Sequence, residues 1–286
     1  MPFRDVIGHT RLLGLLARSV RRETLPPSLL FAGPSGIGKR LTAVATAQAL
    51  NCLQPVDADG RGALERDACG RCAACTRIAR GVHPDVLIVE PGDSGSIRID
   101  QVRDAIDRAA YRPFEGRCRV VIVDEADALV TAAQNALLKT LEEPPSSSVF
   151  ILVSSRPDVL LPTVRSRCPQ LRFRPLDATD VAAVLMARGH SKAEAQAVAV
   201  VADGSVGRAL EATASDLVEA REAAQRVLAR AASTDDSRSR IEAAKDLLPK
   251  AGGGGADRDH LATCLRAMAS LLRDVELLST RANPHA

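Results

Sequence analysis

Short apolar runs recur through residues 28–173, each followed by a longer stretch with helical spacing. The run Ser-Leu-Leu-Phe-Ala-Gly (28–33) reads as a strand entering a glycine-rich loop. An unbroken apolar run of this length marks a strand covered on both faces, where a half-exposed strand would alternate. Residues 39–50 carry helical spacing, 85–90 form a second strand, and 99–110 a helix with Asp100 as its expected N-cap. A third strand, 119–127, ends in the acids Asp124, Glu125 and Asp127. The helix over 132–143 is stopped by Pro144 and Pro145, which cannot continue it. Residues 149–155 supply a fourth strand and 170–173 a fifth. Strand alternating with helix implies a mostly parallel sheet with helices on both faces, whose ligands sit at the carboxyl ends of the strands. The glycine loop and Asp124 both lie at such ends. They can therefore meet, although about 85 residues separate them.

Beyond Phe173 no strand pattern returns. Residues 177–212 read as three short helices, broken near 188–191 and 202–205. Residues 214–232, 237–249 and 257–279 read as three longer ones, rich in Ala and Leu with charged faces. Such stripes belong to a core or a helix–helix seam. Gly252–Gly255 is a flexible linker before the last helix, and the tail from 279 to 286 reads as frayed.

Composition narrows the function classes. Aromatic residues make up only 2% of the 286-residue chain, which argues against a base-stacking surface for single strands. A net charge of +3 announces no bulk attraction to nucleic acid. No apolar run is long enough to span a membrane, and the first ten residues lack a signal-peptide core, so a cytoplasmic location with reduced cysteines is expected.

Gly33-Pro34-Ser35-Gly36-Ile37-Gly38-Lys39-Arg40 nearly matches a phosphate-binding loop. The pattern is G-x-x-x-x-G-K followed by Ser or Thr. Backbone amides of such a turn surround a phosphate, the helix that follows points its positive end at it, and Lys39 would neutralise the charge. The last position is Arg40, where a hydroxyl would normally help hold Mg²⁺. Arg offers no acceptor and brings positive charge to that place. Asp124 is the expected second metal holder and Glu125 could orient water. The loop thus keeps the parts for holding ATP at a degenerate site, but Mg²⁺ binding and efficient hydrolysis are not expected. A plain glycine-rich turn is the alternative.

Cys69, Cys72 and Cys75 follow a C-x2-C-x2-C spacing, with Cys52 earlier in the chain. Four thiolates can close a tetrahedral, structural Zn²⁺ site. The alternative is chance clustering, with Cys52 a small core residue. Cys118, Cys168 and Cys264 stand alone and default to structural roles. His83 reads as a turn residue before Pro84. Arg167, in Ser166-Arg167-Cys168, reads by itself as a solvated or salt-bridging residue.

Taken together, "VIGH", the glycine loop, the Cys cluster, "HPD", "IDQVR", "VVIVDEAD", "NALLKTLEEPP" and "SRC" resemble the clamp-loader branch of the AAA+ proteins. They lie in the family's order between residues 6 and 168. The resemblance implies an α/β AAA+ P-loop domain with a parallel five-stranded sheet and an inserted zinc knob, a small helical lid and a C-terminal helical collar. The expected boundaries are 1–174 (zinc module 52–75), 175–212 and 213–286. Within the family the chain looks more like the delta-prime subunit of DNA polymerase III than like the gamma/tau motor. Asp127 stands where motors tend to carry His. Gly207 stands where they carry an Arg that reaches the γ-phosphate, and Arg208 lies one step along, turned by roughly 100°. Ser155 matches the polar sensor at the end of the fourth strand. The resemblance makes Arg167 an arginine finger that acts on a neighbour's γ-phosphate. It implies gamma/tau and delta subunits as partners in a pentameric ring that opens the sliding clamp and places it on primed DNA. The collar departs from the pattern, with three helices after residue 213 where the family has about five. Two rivals stay open: a catalytic ATPase using Lys39, Asp124 and Glu125, and a nucleic-acid module built on the zinc knob. For the latter, Arg66, Arg71 and Arg77 are offset by Glu65 and Asp67.

Overall fold

The computed structural model describes residues 1–57, 66–211, 214–247 and 255–281. Residues 58–65 of the zinc module, the expected boundary at 212/213, Gly252–Gly254 of the linker and the tail beyond 281 lie outside them. The chain divides into two compact units, Met1–Leu176 and Asp177–Ala286.

In chain order the first unit contains α1 (Thr10–Arg21), β1 (Ser28–Ala32), α2 (Lys39–Asn51), β2 (Val56–Asp57), β3 (Arg66–Asp67), α3 (Ala73–Ala79), β4 (Val86–Val89), α4 (Ile99–Ala110), β5 (Arg119–Val123), α5 (Thr131–Glu142), β6 (Ser148–Ser154), α6 (Pro162–Arg165) and β7 (Gln170–Arg172). β4, β5, β6, β1 and β7 form one sheet in that order, every neighbouring pair parallel. The unbroken apolar runs are explained by what each strand buries. Leu29 and Phe31 of β1, Val120 and Ile122 of β5, and Val149, Ile151 and Val153 of β6 enter one core, with Leu13, Leu16 and Ala17 of α1 and the Ala-rich face of α2. Leu30, Val121, Val123, Phe150 and Leu152 point the other way, into a second core with Val102 of α4 and Leu137 and Leu141 of α5. A period of two feeds both faces, so the polar residues Ser28, Arg119, Ser148 and Ser154 are confined to the strand ends.

The structure adds and corrects details. α1 has no counterpart among the expected helices, although its amphipathic pattern buries Leu13, Leu16 and Ala17. α4 is capped by Arg98, not Asp100. The Gln101 side chain accepts from the Arg98 amide at 2.9 Å, leaving Asp100 in the first turn, where its charge favours the helix dipole. Cys168 is a buried residue of the second core.

Motif residues with no evident ligand turn out to be braces. Asp85 of "HPD" is fully buried. It accepts from the amides of Phe114, Glu115 and Gly116 at 2.7, 2.9 and 2.8 Å and from the Arg119 guanidinium at 2.8 Å. His83 is buried beside it, its Nδ1 accepting from the Asp85 amide. Asn51, at the end of α2, ties the same loop by accepting from the amides of Arg117 and Cys118.

The second unit is helical: α7 (Ala178–Ala187), α8 (Lys192–Val201), α9 (Val206–Glu211), α10 (Ala214–Ser233), α11 (Ser237–Ala244) and α12 (Gly255–Arg281). A capping box of Ser191 and Glu194 starts α8. Ala220, Ala223, Val227, Leu247 and Cys264 form a small core. Among the described residues, no helix is long and apolar enough to cross a membrane.

Burial by itself would raise the Asp85 carboxyl, but the three amides and Arg119 hold it down at about 2, from 3.8. Because the folded value lies below the unfolded one, the stabilisation is complete above about pH 4 and is lost as pH falls through about 2. Asp85→Asn should therefore cost about 2 kcal/mol at neutral pH and remove that part of the acid sensitivity. Urea unfolding of both proteins at neutral and acidic pH measures this.

Candidate functional site

The loop between β1 and α2 begins where β1 leaves the sheet. Gly33 has φ 154°, and a Cβ there would lie 2.4 Å from the Phe173 carbonyl oxygen just after β7. Only glycine permits that approach. Gly36 and Gly38 have φ of 75° and 94°, and Gly38 forms the N-cap of α2. The loop is braced from the N-terminus. His9 Nε2 lies 2.9 Å from the Ile37 carbonyl, and its ring meets Phe173 edge-on at 4.9 Å. Periodicity had offered no signal for His9. A left-handed residue (φ 52°) just before α1 is the local oddity that marks it.

Lys39 is buried, and its ammonium donates to the carbonyls of Gly33 (2.7 Å) and Pro34. Burial lowers its pKa to about 8 against the raising charges of Asp124 and Asp127. Arg40, the next residue, reaches Asp124. Its Nη1 is 3.2 Å from Asp124 Oδ2 and also pairs with Glu90, at the end of β4. Sequence reasoning missed Glu90, which is an ordinary strand-end acid until β4 and β5 are placed side by side. The other Asp124 oxygen accepts from the Glu125 amide at 3.0 Å. Glu125 has φ 47° and an exposed side chain.

These residues do not fit Mg²⁺. The acid that would hold the ion is engaged by a guanidinium of the same chain, and the position that would supply a hydroxyl is the source of that guanidinium.

Ser155 follows the last residue of β6. The Ser154 hydroxyl donates to Asp127 Oδ1 at 2.9 Å, and the Ser155 amide donates to the same oxygen at 3.0 Å. Arg156 Nε reaches the other oxygen at 3.2 Å. Burial would push the Asp127 carboxyl up, but donors from Ser155, Ser154 and Arg156 outweigh it and hold it below its ordinary value. Asp127 thus gathers the end of β6, and the Ser155 side chain is not what makes the contact.

Arg167 lies just after α6, partly exposed. Its Nη1 donates to the Thr163 carbonyl at 2.8 Å and its Nη2 pairs with Glu142 at the end of α5. In the helical unit Arg208 lies 3.7 Å from Asp203, which also pairs with Arg273 at 3.3 Å.

Away from the loop, the sulfurs of Cys52, Cys69, Cys72 and Cys75 all lie within 4.8 Å of one another. Cys52 ends α2 and Cys72 caps α3. Backbone amides point at the sulfurs: Cys69 N at Cys52 Sγ (3.2 Å), Cys72 N at Cys69 Sγ (3.3 Å) and Cys75 N at Cys72 Sγ (3.5 Å). Amides aimed at sulfur favour thiolates, and four thiolates closing on one point can hold one metal ion. Asp67 of β3 fastens the N-terminus to this knob, accepting from the amides of Phe3 and Arg4, both at 3.0 Å.

Comparison with known proteins finds relatives of this chain. The family described as DNA polymerase III, delta subunit, matches residues 8–177. The DNA polymerase III subunit delta' of Pseudomonas aeruginosa is 43% identical over 142 residues, 49% of this chain and 41% of that protein. The gamma/tau subunit of Mycobacterium tuberculosis H37Rv is 36% identical over 183 residues, 64% of this chain and 30% of that protein. A DNA polymerase III gamma subunit-related protein of Thermotoga maritima, a solved structure, is 16% identical with a TM-score of 0.45, covering 89% of this chain and 91% of that one. The chain spans less than half the length of these two curated relatives.

The sulfur cluster makes a direct prediction. Protein purified without chelators should carry about one metal ion per chain, by elemental analysis. Cys75→Ser should lose that ion and lower the melting temperature, by about 5 °C or more.

Proposed function

The chain belongs to the DNA polymerase III delta-subunit family, and we propose that within it the chain is a non-motor clamp-loader subunit of the delta-prime type. In this reading it sits in a hetero-oligomeric ring with gamma/tau and delta subunits and helps place the sliding clamp on primed DNA. The observation that carries the proposal is the guanidinium of Arg40 held between Asp124 and Glu90. A hydrolytic site needs a metal there to draw charge from the phosphates, and this one carries a monovalent side-chain cation in its place.

Arg167 acts in the opposite sense, supplying charge to a site elsewhere. It stands partly exposed just after the short helix α6, with Glu142 and the Thr163 carbonyl holding the guanidinium. A pair this exposed is weak, so the guanidinium can exchange Glu142 for a neighbour's γ-phosphate at little cost. The phosphate carries more charge and gains most as charge develops in transfer. Zn²⁺ is the ion proposed for the cysteine cluster, because four thiolates without an open position make a structural site. The knob would then brace α2 from its C-terminal end.

A catalytic motor is the second reading. Retained Lys39, Asp124 and Glu125 support it, together with the match to gamma/tau relatives.

One experiment separates the two. The chain is reconstituted with gamma/tau and delta subunits, and DNA-stimulated ATPase is measured with wild type and Arg167→Ala. Loss of most turnover in an intact complex is expected, since a finger is worth roughly 10³-fold or more at the site it serves. The isolated chain should show no turnover. Turnover by the isolated chain that disappears with Lys39→Ala, with no effect of Arg167→Ala in the complex, would overturn the proposal.

A further inference from the structure

α12 carries Arg266, Ser270 and Arg273 at spacings of four and three, which puts all three on one face of the helix. α9 contributes Arg208 and α10 contributes Arg221. Arg208, Arg221, Arg266 and Ser270 line one cleft, together with Asp203 from the turn between α8 and α9. The cleft lies wholly inside the helical unit, apart from the glycine loop.

The charges around it do not balance. Asp203 is shared by Arg208 at 3.7 Å and Arg273 at 3.3 Å, and Asp274 stands 3.9 Å from Arg221. Arg266 makes no ion pair with a described residue. Four guanidiniums thus meet two carboxylates. Arginine keeps its proton, so the excess cannot be relieved by titration. Arg208 registers the imbalance. Burial disfavours its charge, Asp203 supports it, Arg266 and Arg273 oppose it, and the net effect lowers its pKa. Ser270 is only 6% exposed, and its hydroxyl has no hydrogen-bond partner among the described residues. A buried hydroxyl left without a partner is costly. An anion in the cleft would supply both the missing negative charge and the missing acceptor.

The shape narrows the choice of anion. About 10 Å³ is open to the centre of a water-sized atom, which is room for roughly one such atom. One oxygen of a tetrahedral group fits inside, while a nucleobase or a sugar does not. The remaining oxygens stay at the mouth, where the side chains of Arg266 and Arg273 are exposed. We propose that this cleft binds a phosphate group, with one oxygen on Ser270 and Arg208 inside and the others on Arg221 and Arg266 at the rim. Guanidinium forks match phosphate oxygens in geometry as well as in charge. Asp203 in the wall is already answered by its two arginines. A free phosphate ion and a nucleic-acid backbone present the same group, and the test separates them.

The full chain, metal-loaded at its cysteines, is titrated at low ionic strength with inorganic phosphate and, in a second arm, with a short DNA duplex. Backbone amide resonances of residues 206–210 and 263–273 should shift and saturate. Saturation by phosphate alone at about millimolar concentration supports a free-anion site. Saturation by the duplex alone, with an affinity that falls steeply with salt, supports a backbone site. Arg266→Gln should weaken binding about tenfold and Ser270→Ala about threefold. Arg230→Gln removes an equal charge elsewhere on α10 and should change it less than about twofold. In phosphate-free buffer Arg266→Gln should melt no lower than wild type, because it relieves repulsion among like charges. No shift at these amides in either arm, or equal weakening by all three variants, overturns the proposal. The outcome is independent of the finger reading, which is decided by the Arg167 variant in the reconstituted complex.

Discussion

Parallel strands covered on both faces leave little freedom to place a polar group at the centre of the sheet. β1, β5 and β6 send successive side chains alternately into two cores, so each is apolar through its middle and keeps its polar residues, Ser28, Arg119, Ser148 and Ser154, at its ends. Chemistry is thereby confined to the rim where the strands end. The strand order then decides which ends are neighbours. β5 separates β4 from β6, and β1 lies between β6 and β7. That order gathers the glycine loop, Glu90, Asp124 and the turn after β6 along one edge, and it brings Phe173 against Gly33 closely enough to exclude any side chain there.

Two arginine–aspartate pairs in this domain show how burial sets the role of a charge. Asp85 and Arg119 are almost wholly buried; Asp85 accepts from three loop amides and from Arg119, which also donates to the Arg108 and Arg112 carbonyls. Removing one partner of such a pair strands the other's charge away from water, which makes it a permanent brace. Arg40 is half exposed, and its contacts with Asp124 and Glu90 are screened by water. Pairs of that kind are worth roughly 0–1 kcal/mol. They hold a side chain in place without committing it, as suits a group that meets a ligand. Arg167 on Glu142 belongs with Arg40 in this respect.

The braces converge on α2, the helix that presents the loop. At its C-terminal end Asn51 ties down the loop before β5, and Cys52 enters the sulfur cluster. The Gln48 amide donates to the Cys75 carbonyl at 2.7 Å. Asp67 then fastens the first residues of the chain to the same knob. A metal at the cysteines would stiffen the far end of the helix whose near end holds the phosphate loop. The cysteine cluster is thus coupled to the loop by packing, with no part in its chemistry.

Local features of the sequence determined the strands, most of the helices, the loop and the cysteine spacing, because each depends on residues within a few positions of one another. An apolar run is a buried strand wherever it lies, and C-x2-C-x2-C turns its sulfurs together without help from the rest of the chain. α1, α3 and α6 were exceptions, and the start of α4 moved from Asp100 to Arg98, whose amide donates to the Gln101 side chain, because which side chain meets a free amide is settled by geometry that spacing does not fix. Long-range pairing was the province of the tertiary structure. Arg40 reads locally as a missing hydroxyl; only the adjacency of β4 and β5 places Glu90 and Asp124 within its reach. Asp85 reads as a turn acid until the loop at 114–116 closes over it. A charged side chain takes whichever partner the fold brings within about 3 Å, and that distance is set by strand order and helix packing, quantities no short stretch of sequence contains.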